Sequence, residues 1–198
     1  MPHNESSPLR VVAVSGSLHE PSKTTALIRA IVDEVATRTP VAAELIELTA
    51  IGPELAGALR RDQVGPGAEA ALRSIETADL LVVGSPVYRA SFTGLFKHLF
   101  DFVGQYELVD KPVLVSATGG GERHALILEH QFRPLFGFFQ ALTLPLGVYA
   151  SNTDFDGYEL TSEPVRQRIQ LAVQRGLPFV RQQGIPAEVR PSSYVGAW

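Results

Sequence analysis

Four short runs of apolar residues constrain the fold of this chain more than any other feature of its sequence. They lie within residues 10–15, 78–85, 111–117 and 144–150. Each run is continuous rather than alternating, which is typical of a strand that is buried on both faces of a parallel sheet. A fifth segment, at 41–48, alternates apolar and polar residues as a strand does.

Residues with helical spacing fill the segments between these strands. They predict helices over 23–38, 68–77, 93–103, 122–142 and 161–183, and a loop with a short helix over 51–67. Strands that alternate with helices indicate an α/β fold with a parallel sheet covered on both faces. Five strands in 198 residues fit a doubly wound, flavodoxin-like sheet of order 2-1-3-4-5, because a closed barrel needs about 250 residues.

The composition narrows the class of protein further. The chain has no cysteine, and its net charge is −4, from 17 Lys and Arg against 21 Asp and Glu. These counts exclude disulfides, thiolate metal sites and cysteine nucleophiles, and they argue against a duplex or membrane-surface binder. No apolar run approaches the ~20 residues that a membrane span needs. We expect a cytoplasmic protein with one domain at 10–183, a flexible arm at 1–9 and a tail at 184–198.

The loop after the first strand is a candidate anion site, because ligands of open parallel sheets bind beyond the carboxyl ends of the strands. Its backbone N–H groups and the N-terminus of the next helix suit a phosphate. Hydroxyl and ammonium groups are added by Ser15, Ser17, Ser22, Lys23 and Thr24. A Walker A loop would need glycine in place of Ser22. The alternative to an anion site is a Ser-rich turn whose only role is to cap the helix.

The loop at 84–94 follows the next buried strand and suits a flat aromatic ligand. Pro86 stiffens the chain, and Val87 and Tyr88 are too apolar to lie at a strand end without a surface to cover. Packing of this loop on its own helix is the alternative for Tyr88. Arg89 is a candidate contact for a nicotinamide nucleotide.

A third loop, at 117–121, contains three successive glycines. Glycine lets a backbone approach a ligand closely and adopt positive φ angles, whereas a plain tight turn needs only one or two glycines. One phosphate loop and two ring-contacting loops together predict a site for flavin mononucleotide.

The motifs of the three loops resemble those of the NAD(P)H-dependent FMN reductase family. They are Ser15-Gly-Ser with Ser22, the segment 85–97 and the segment 117–120. The resemblance covers about residues 10–180 and is closest to the reductases that supply reduced flavin to alkanesulfonate and methanesulfonate monooxygenases. It implies a flavodoxin-like fold and the use of FMN and NAD(P)H. The positions implied to bind the flavin are Ser15, Ser17, His19, Ser22, Lys23, Thr24, Ser85, Pro86, Val87, Tyr88, Arg89, Thr118, Gly119, Gly120 and Gly121. His19 stands where the family often has Arg, which leaves Lys23 or His19 to balance the phosphate.

The segment 122–142 is apolar around most of the helical wheel, so a second face of this helix must be buried. We expect a second copy of the chain to bury it, in a homo-oligomer that is a dimer or a tetramer.

Pro134 crowds the carbonyl of His130, and the helix should therefore be distorted near 129–131, as in a π-bulge. The sulfonate-linked reductases look similar here, with a one-residue π insertion at an oligomer interface. His130 matches that inserted residue, where family members often have Tyr. His124 and His130 share no helix face, so no metal site is expected.

The resemblance implies hydride transfer from the nicotinamide to the flavin, for which no acid–base triad is needed. Three other functions compete with a flavin donor. The first is an enzyme that retains FMN and reduces quinones, azo dyes or metal oxyanions. The others are a flavodoxin-like electron carrier and a P-loop nucleotide-binding module.

Overall fold

The structure, a computed structural model, describes residues 7–181. The strands of its main sheet are β1 (Leu9–Ser15), β2 (Val41–Glu47), β3 (Leu80–Pro86), β4 (Pro112–Gly119), β5 (Leu142–Thr143) and β6 (Val148–Ser151). All pairings are parallel and the order is β2-β1-β3-β4-β5, with β6 also paired to β4. The flavodoxin-like order is therefore confirmed. The tail at 184–198 and most of the arm at 1–9 lie outside the described residues.

Helices cover both faces of this sheet. They are α1 (Lys23–Ala36), α2 (Leu48–Leu55), α3 (Pro66–Thr77), α4 (Gly94–Asp101), α5 (Arg133–Phe138) and α6 (Glu163–Arg181). Strand β1 shows how the two faces are buried, because successive side chains of a strand point to opposite sides. Val12 and Val14 pack in a core with α2 to α5, whereas Val11 and Ala13 pack with α1 and α6.

Only the end of the strand predicted at 144–150 forms a strand, in β6, and a break separates it from β5, which ends before the predicted start. Pro145 lies in the break and has no N–H to donate to the neighbouring strand. The Arg133 guanidinium donates to the carbonyls of Leu144 and Pro145, at 3.0 Å each, and the Arg168 side chain donates to the carbonyl of Gly147 at 3.0 Å. Side chains therefore satisfy carbonyls that a continuous strand would have paired.

The single helix predicted over 122–142 is wrong, although the predicted distortion is confirmed. The segment consists of a 3₁₀ turn at Glu122–His124, a π-helical turn at Leu128–Phe132, called the π segment below, and α5. The Arg133 N–H donates to the carbonyl of Leu128, five residues back. The next residue, Pro134, has no N–H to donate. The α-helical hydrogen bonds are therefore interrupted both by the π-type bond of Arg133 and by the proline. Gln140, at φ 56°, ends the helical path before β5.

A short hairpin after β6 was not predicted. Its strands are β7 (Phe155–Asp156) and β8 (Glu159–Leu160), and Gly157 supplies the positive φ angle of the turn. Two-residue strands give too little alternation to be seen in the sequence. Across residues 7–181, no helix is both long enough and apolar enough to cross a membrane.

We expect Phe132→Ala to lower the free energy of unfolding by about 3–5 kcal/mol. The Phe132 side chain is fully buried, and its ring centroid lies 5.5 Å from those of Phe92 and Phe96. Denaturation with urea measures the loss. Phe179→Ala is the matched control, because that ring is 39% exposed on α6. Equal losses for the two variants would contradict this packing.

Candidate functional site

The three loops predicted to form the site meet at the carboxyl edge of the sheet. The Gly16 N–H donates to the carbonyl of Gly84 at 2.7 Å, which joins the first loop to the end of β3. In the other direction, the Thr93 hydroxyl of the second loop donates to the carbonyl of Gly16 at 2.9 Å. The Val87 N–H donates to the carbonyl of Thr118 at 2.8 Å, which joins the second loop to β4. The loops after β1, β3 and β4 are therefore hydrogen-bonded into one surface.

Close approach of the first two loops requires glycine at position 16. A Cβ atom there would lie 2.9 Å from both Phe96 Cδ2 and Ser85 Cβ. Ser85 is fully buried, and its hydroxyl accepts from the Thr93 N–H at 3.0 Å and donates to the carbonyl of Pro86 at 2.9 Å. Ser85 therefore fixes the second loop from beneath and does not face solvent.

The first loop presents a set of hydrogen-bond donors at the start of α1. Ser22 is the N-cap, and its hydroxyl oxygen accepts from the Thr25 N–H at 3.2 Å. The N–H groups of Lys23 and Thr24 donate to no acceptor in the described part of the chain. Helix N-termini with free N–H groups favour anions, because the helix dipole adds to the donors. The geometry suits a phosphate.

The predicted hydroxyl ligands of the first loop fall into two groups. Ser15 and Thr24 are buried and point into the protein, where Ser15 Oγ lies 2.8 Å from Thr25 Oγ1 and Thr24 Oγ1 lies 2.6 Å from Thr118 Oγ1. The Ser17 hydroxyl instead bonds within the loop, to the N–H and carbonyl of His19. Ser17 and Ser22 therefore shape the candidate anion site, whereas Ser15, Thr24 and Thr118 brace the loop from within the protein.

Lys23 and His19 differ in how they are held. The Lys23 ammonium donates to Asn152 Oδ1 at 3.1 Å and lies 5.7 Å from the centre of the Phe155 ring. The His19 side chain is exposed. The positive charge of Lys23 is thus anchored at the turn after β6, a contact between residues 129 positions apart that the sequence did not predict.

The turn that receives Lys23 is itself well hydrogen-bonded. The Asp154 carboxylate accepts from the Ser151 N–H at 2.7 Å and from the Ser151 hydroxyl at 2.8 Å. Burial alone would raise the pKa of Asp154, but hydrogen bonds from Ser162 and Ser151 outweigh it and lower the pKa below its usual value. A charged Asp154 therefore stabilises the turn.

The second loop forms a tight hairpin that holds Tyr88 at the surface. The backbones of Tyr88 and Ser91 exchange two hydrogen bonds, at 2.8 and 3.1 Å. Arg89 and Ala90 between them have φ angles of 50° and 68°, which cost free energy for residues other than glycine. Tyr88 remains 41% exposed, so an aromatic face is open at the edge of the sheet.

A hydrogen bond links this hairpin to the π segment. The Ser91 hydroxyl donates to Gln131 Oε1 at 3.1 Å. His130, next to Gln131, is exposed, as is His124. Within residues 7–181, no cluster of three His, Asp or Glu side chains could hold a metal ion.

The third loop is open where the glycines lie. A Cβ atom on Gly120 or Gly121 would meet no other atom within 4 Å, and their N–H groups donate to nothing in the described residues. Tyr149, on β6, covers Gly119 and donates its hydroxyl to the carbonyl of Gly121 at 2.6 Å. Sequence reasoning missed Tyr149, because the contact spans 28 residues and no local pattern marks it.

The site therefore has two parts that fit a phosphorylated flavin. Free N–H groups and hydroxyls at the start of α1 suit the phosphate. An exposed tyrosine ring and an open glycine backbone suit a flat ring with carbonyl oxygens. This fit depends on the convergence of the three loops.

Comparisons with known proteins agree with this geometry. The family model described as NADPH-dependent FMN reductase matches residues 9–156. An FMN reductase (NADPH) of Pseudomonas aeruginosa is 53% identical over 173 residues, which are 87% of this chain and 93% of that protein. The NADH-dependent FMN reductase SfnF of Pseudomonas fluorescens is 53% identical over 174 residues, which are 88% of this chain and 93% of that protein.

A solved structure extends the likeness to three dimensions. The crystal structure of an oxidoreductase from Corynebacterium diphtheriae superposes with a TM-score of 0.79 and 31% identity, and it covers 89% of this chain and 100% of that chain. The fold, the three loops and the relatives agree: this chain belongs to the NADPH-dependent FMN reductase family, whose members are oxidoreductases that use FMN and a reduced nicotinamide nucleotide.

Proposed function

We propose that this enzyme reduces FMN with NADH or NADPH and releases the reduced flavin to a partner monooxygenase that oxidises a sulfonate. The observation that carries the proposal is the hydrogen-bonded convergence of the loops after β1, β3 and β4. The reductase name of the Pseudomonas relatives supports the reaction, and the Sfn names support the link to sulfonates.

We assign the phosphate of FMN to the first loop. The N–H groups at the start of α1 and the Ser22 hydroxyl would donate to it, as would the Ser17 hydroxyl once it turns from the carbonyl of His19 to the phosphate. Lys23 and His19 supply positive charge nearby, Lys23 from its anchored position on Asn152. Ser15, Thr24 and Thr118 have buried hydroxyls, and we assign them to holding the loop in place.

We assign the flavin ring to the second and third loops. Val87 and Tyr88 would cover it, and the N–H groups of Gly120 and Gly121 would donate to its carbonyl oxygens. Gly119 allows the backbone to approach, and Pro86 and Ser85 keep the second loop rigid beneath Tyr88. Arg89, exposed at the tip of the hairpin, is placed to meet the nicotinamide nucleotide.

The protein has a positioning task in this reaction, because the flavin supplies the centre that accepts the hydride. Tyr88 and the glycine turn limit where a second ring can stack. Holding two rings face to face removes the entropy cost of a bimolecular encounter. Hydrogen-bond donors near the ring carbonyls stabilise the negative charge that develops there on reduction.

The π segment supports a flavin donor that assembles as a homo-oligomer. Leu126 is 62% exposed and Phe138 is 60% exposed, on either side of the π segment. We propose that a second copy of the chain covers these side chains. The hydrogen bond from Ser91 to Gln131 would then connect that interface to the Tyr88 hairpin.

Stopped-flow titration of the purified protein with FMN, followed by NADH and NADPH separately, tests the reaction. We expect loss of nicotinamide absorbance only when a flavin is present, and fast release of the reduced product. A flavin that stays bound through many turnovers would favour the enzyme that retains FMN. A protein that neither binds FMN nor oxidises either nucleotide would exclude both.

We expect the double variant Ser17→Ala/Lys23→Ala to bind FMN about tenfold to a hundredfold more weakly, because hydrogen bonds to a charged group contribute about 1.5–3 kcal/mol. Riboflavin, which has no phosphate, is the internal control and should lose much less affinity. Fluorescence titration measures both dissociation constants. Equal losses for the two flavins would reject the assignment of the first loop to the phosphate.

Deletion of His130 should remove the extra residue of the π segment and restore a regular α-helical ladder into α5. We expect slower release of flavin, because the deletion rotates Gln131 away from the Ser91 hydroxyl. Flavin dissociation rates measured by fluorescence test this, and circular dichroism checks the helix. An unchanged release rate would show that the π distortion has no role in flavin exchange.

A further inference from the structure

We propose that Tyr149 is a positioning residue of the flavin site, whose hydroxyl holds the glycine turn at 119–121 in the shape that receives the flavin ring. This inference rests on the proposed function, since it concerns the loop assigned to the ring. Tyr149 itself lies on β6, and its role is to act through the backbone of the turn.

The geometry brings the phenol directly across the turn. Tyr149 pairs with Ala117 in the register of β6 and β4, and its ring extends past Gly119. A Cβ atom on Gly119 would lie 2.5 Å from Tyr149 Oη and 3.4 Å from Cζ. Glycine at 119 therefore leaves the space through which the hydroxyl reaches the carbonyl of Gly121.

The hydrogen bond fixes the peptide that joins Gly121 to Glu122. The carbonyl of Gly121 accepts from the Tyr149 hydroxyl at 2.6 Å and from the His124 N–H at 3.2 Å. A trans peptide is planar, and its carbonyl and N–H groups point in opposite directions. The N–H of Glu122 is thus turned away from the phenol, and it donates to no acceptor among residues 7–181.

The glycines cannot hold this shape by themselves. Gly120 and Gly121 have no side chains, and a Cβ atom on either would touch nothing within 4 Å. Glycine loses more conformational freedom on ordering than any other residue. A turn of three glycines that must present N–H groups to a ligand needs an outside contact, and Tyr149 provides it.

The phenol stays protonated, as a hydrogen-bond donor must. Burial raises the pKa of Tyr149 above its usual value of 10, and the negative charges of Glu122 and Asp154 raise it further, so that together they outweigh a backbone hydrogen bond at Gly121 that lowers it. The donor is therefore retained throughout the neutral and mildly alkaline range.

The test is Tyr149→Phe, which keeps the ring and removes the hydroxyl. We expect the dissociation constants of FMN and riboflavin to rise by the same factor, about threefold to tenfold, since one neutral hydrogen bond is lost from the ring side. The melting temperature should change little. Tyr158→Phe is the matched control, because Tyr158 is 52% exposed in the β7–β8 turn, and it should bind both flavins as the wild type does.

A second variant separates positioning from a general effect on stability. Gly119→Ala places a Cβ atom where the hydroxyl lies, so it should weaken flavin binding in the wild type. In the Tyr149→Phe background the closest atom is gone, and the added loss should be clearly smaller. Additive losses in this double-mutant cycle would overturn the proposal.

Other outcomes are equally decisive. Unchanged affinity of Tyr149→Phe for both flavins overturns the proposal, while the wild type still binds FMN and the proposed function stands. A loss confined to FMN also overturns it, because the effect would then lie on the phosphate side. A wild type that binds neither flavin defeats the proposed function, and this inference with it.

Discussion

The pairing of β1 with β3 and of β3 with β4 is the constraint on which the site depends. Neighbouring parallel strands end at the same edge of the sheet, so the loops that follow them are adjacent regardless of the rest of the fold. Backbone hydrogen bonds from Gly16 to Gly84 and from Val87 to Thr118 carry that pairing one residue beyond the strands. The floor of the cleft is thus an extension of the sheet and shares its rigidity.

Polar residues around this floor divide according to burial. The hydroxyls of Ser15, Ser85 and Thr118 are buried and are hydrogen-bonded to the Thr25 hydroxyl, the Thr93 N–H and the Thr24 hydroxyl respectively, so none of the three is buried without a partner. Backbone N–H groups, at the start of α1 and in the glycine turn, remain free at the surface. Buried side chains brace the loops and the backbone offers many of the free donors, which explains why small residues are common in the three loops.

Local patterns were sufficient to predict most of the fold and the three loops. Continuous apolar runs located β1, β3 and β4, and Pro134 located the π distortion. Long-range contacts were beyond such patterns. The bond of Lys23 to Asn152 depends on where β6 ends, and β6 begins late because Pro145 breaks the predicted strand. Local periodicity also wrongly predicted one helix over 122–142, because the spacing of apolar residues does not reveal which backbone hydrogen bonds form.

The two halves of the cleft use different forces, and this separates the effects of changes in each. The half that we propose for the phosphate is electrostatic, and its donors at the helix N-terminus bind a charged ligand more strongly than a neutral one. The ring half depends on shape, with Tyr88 held by a strained hairpin and the glycine turn held by Tyr149. On the proposed assignments, a change in the first half would alter the preference for FMN over riboflavin, whereas a change in the second would alter the affinity for both. In the proposed site, different residues would therefore set the selectivity for the phosphate and the affinity for the flavin ring.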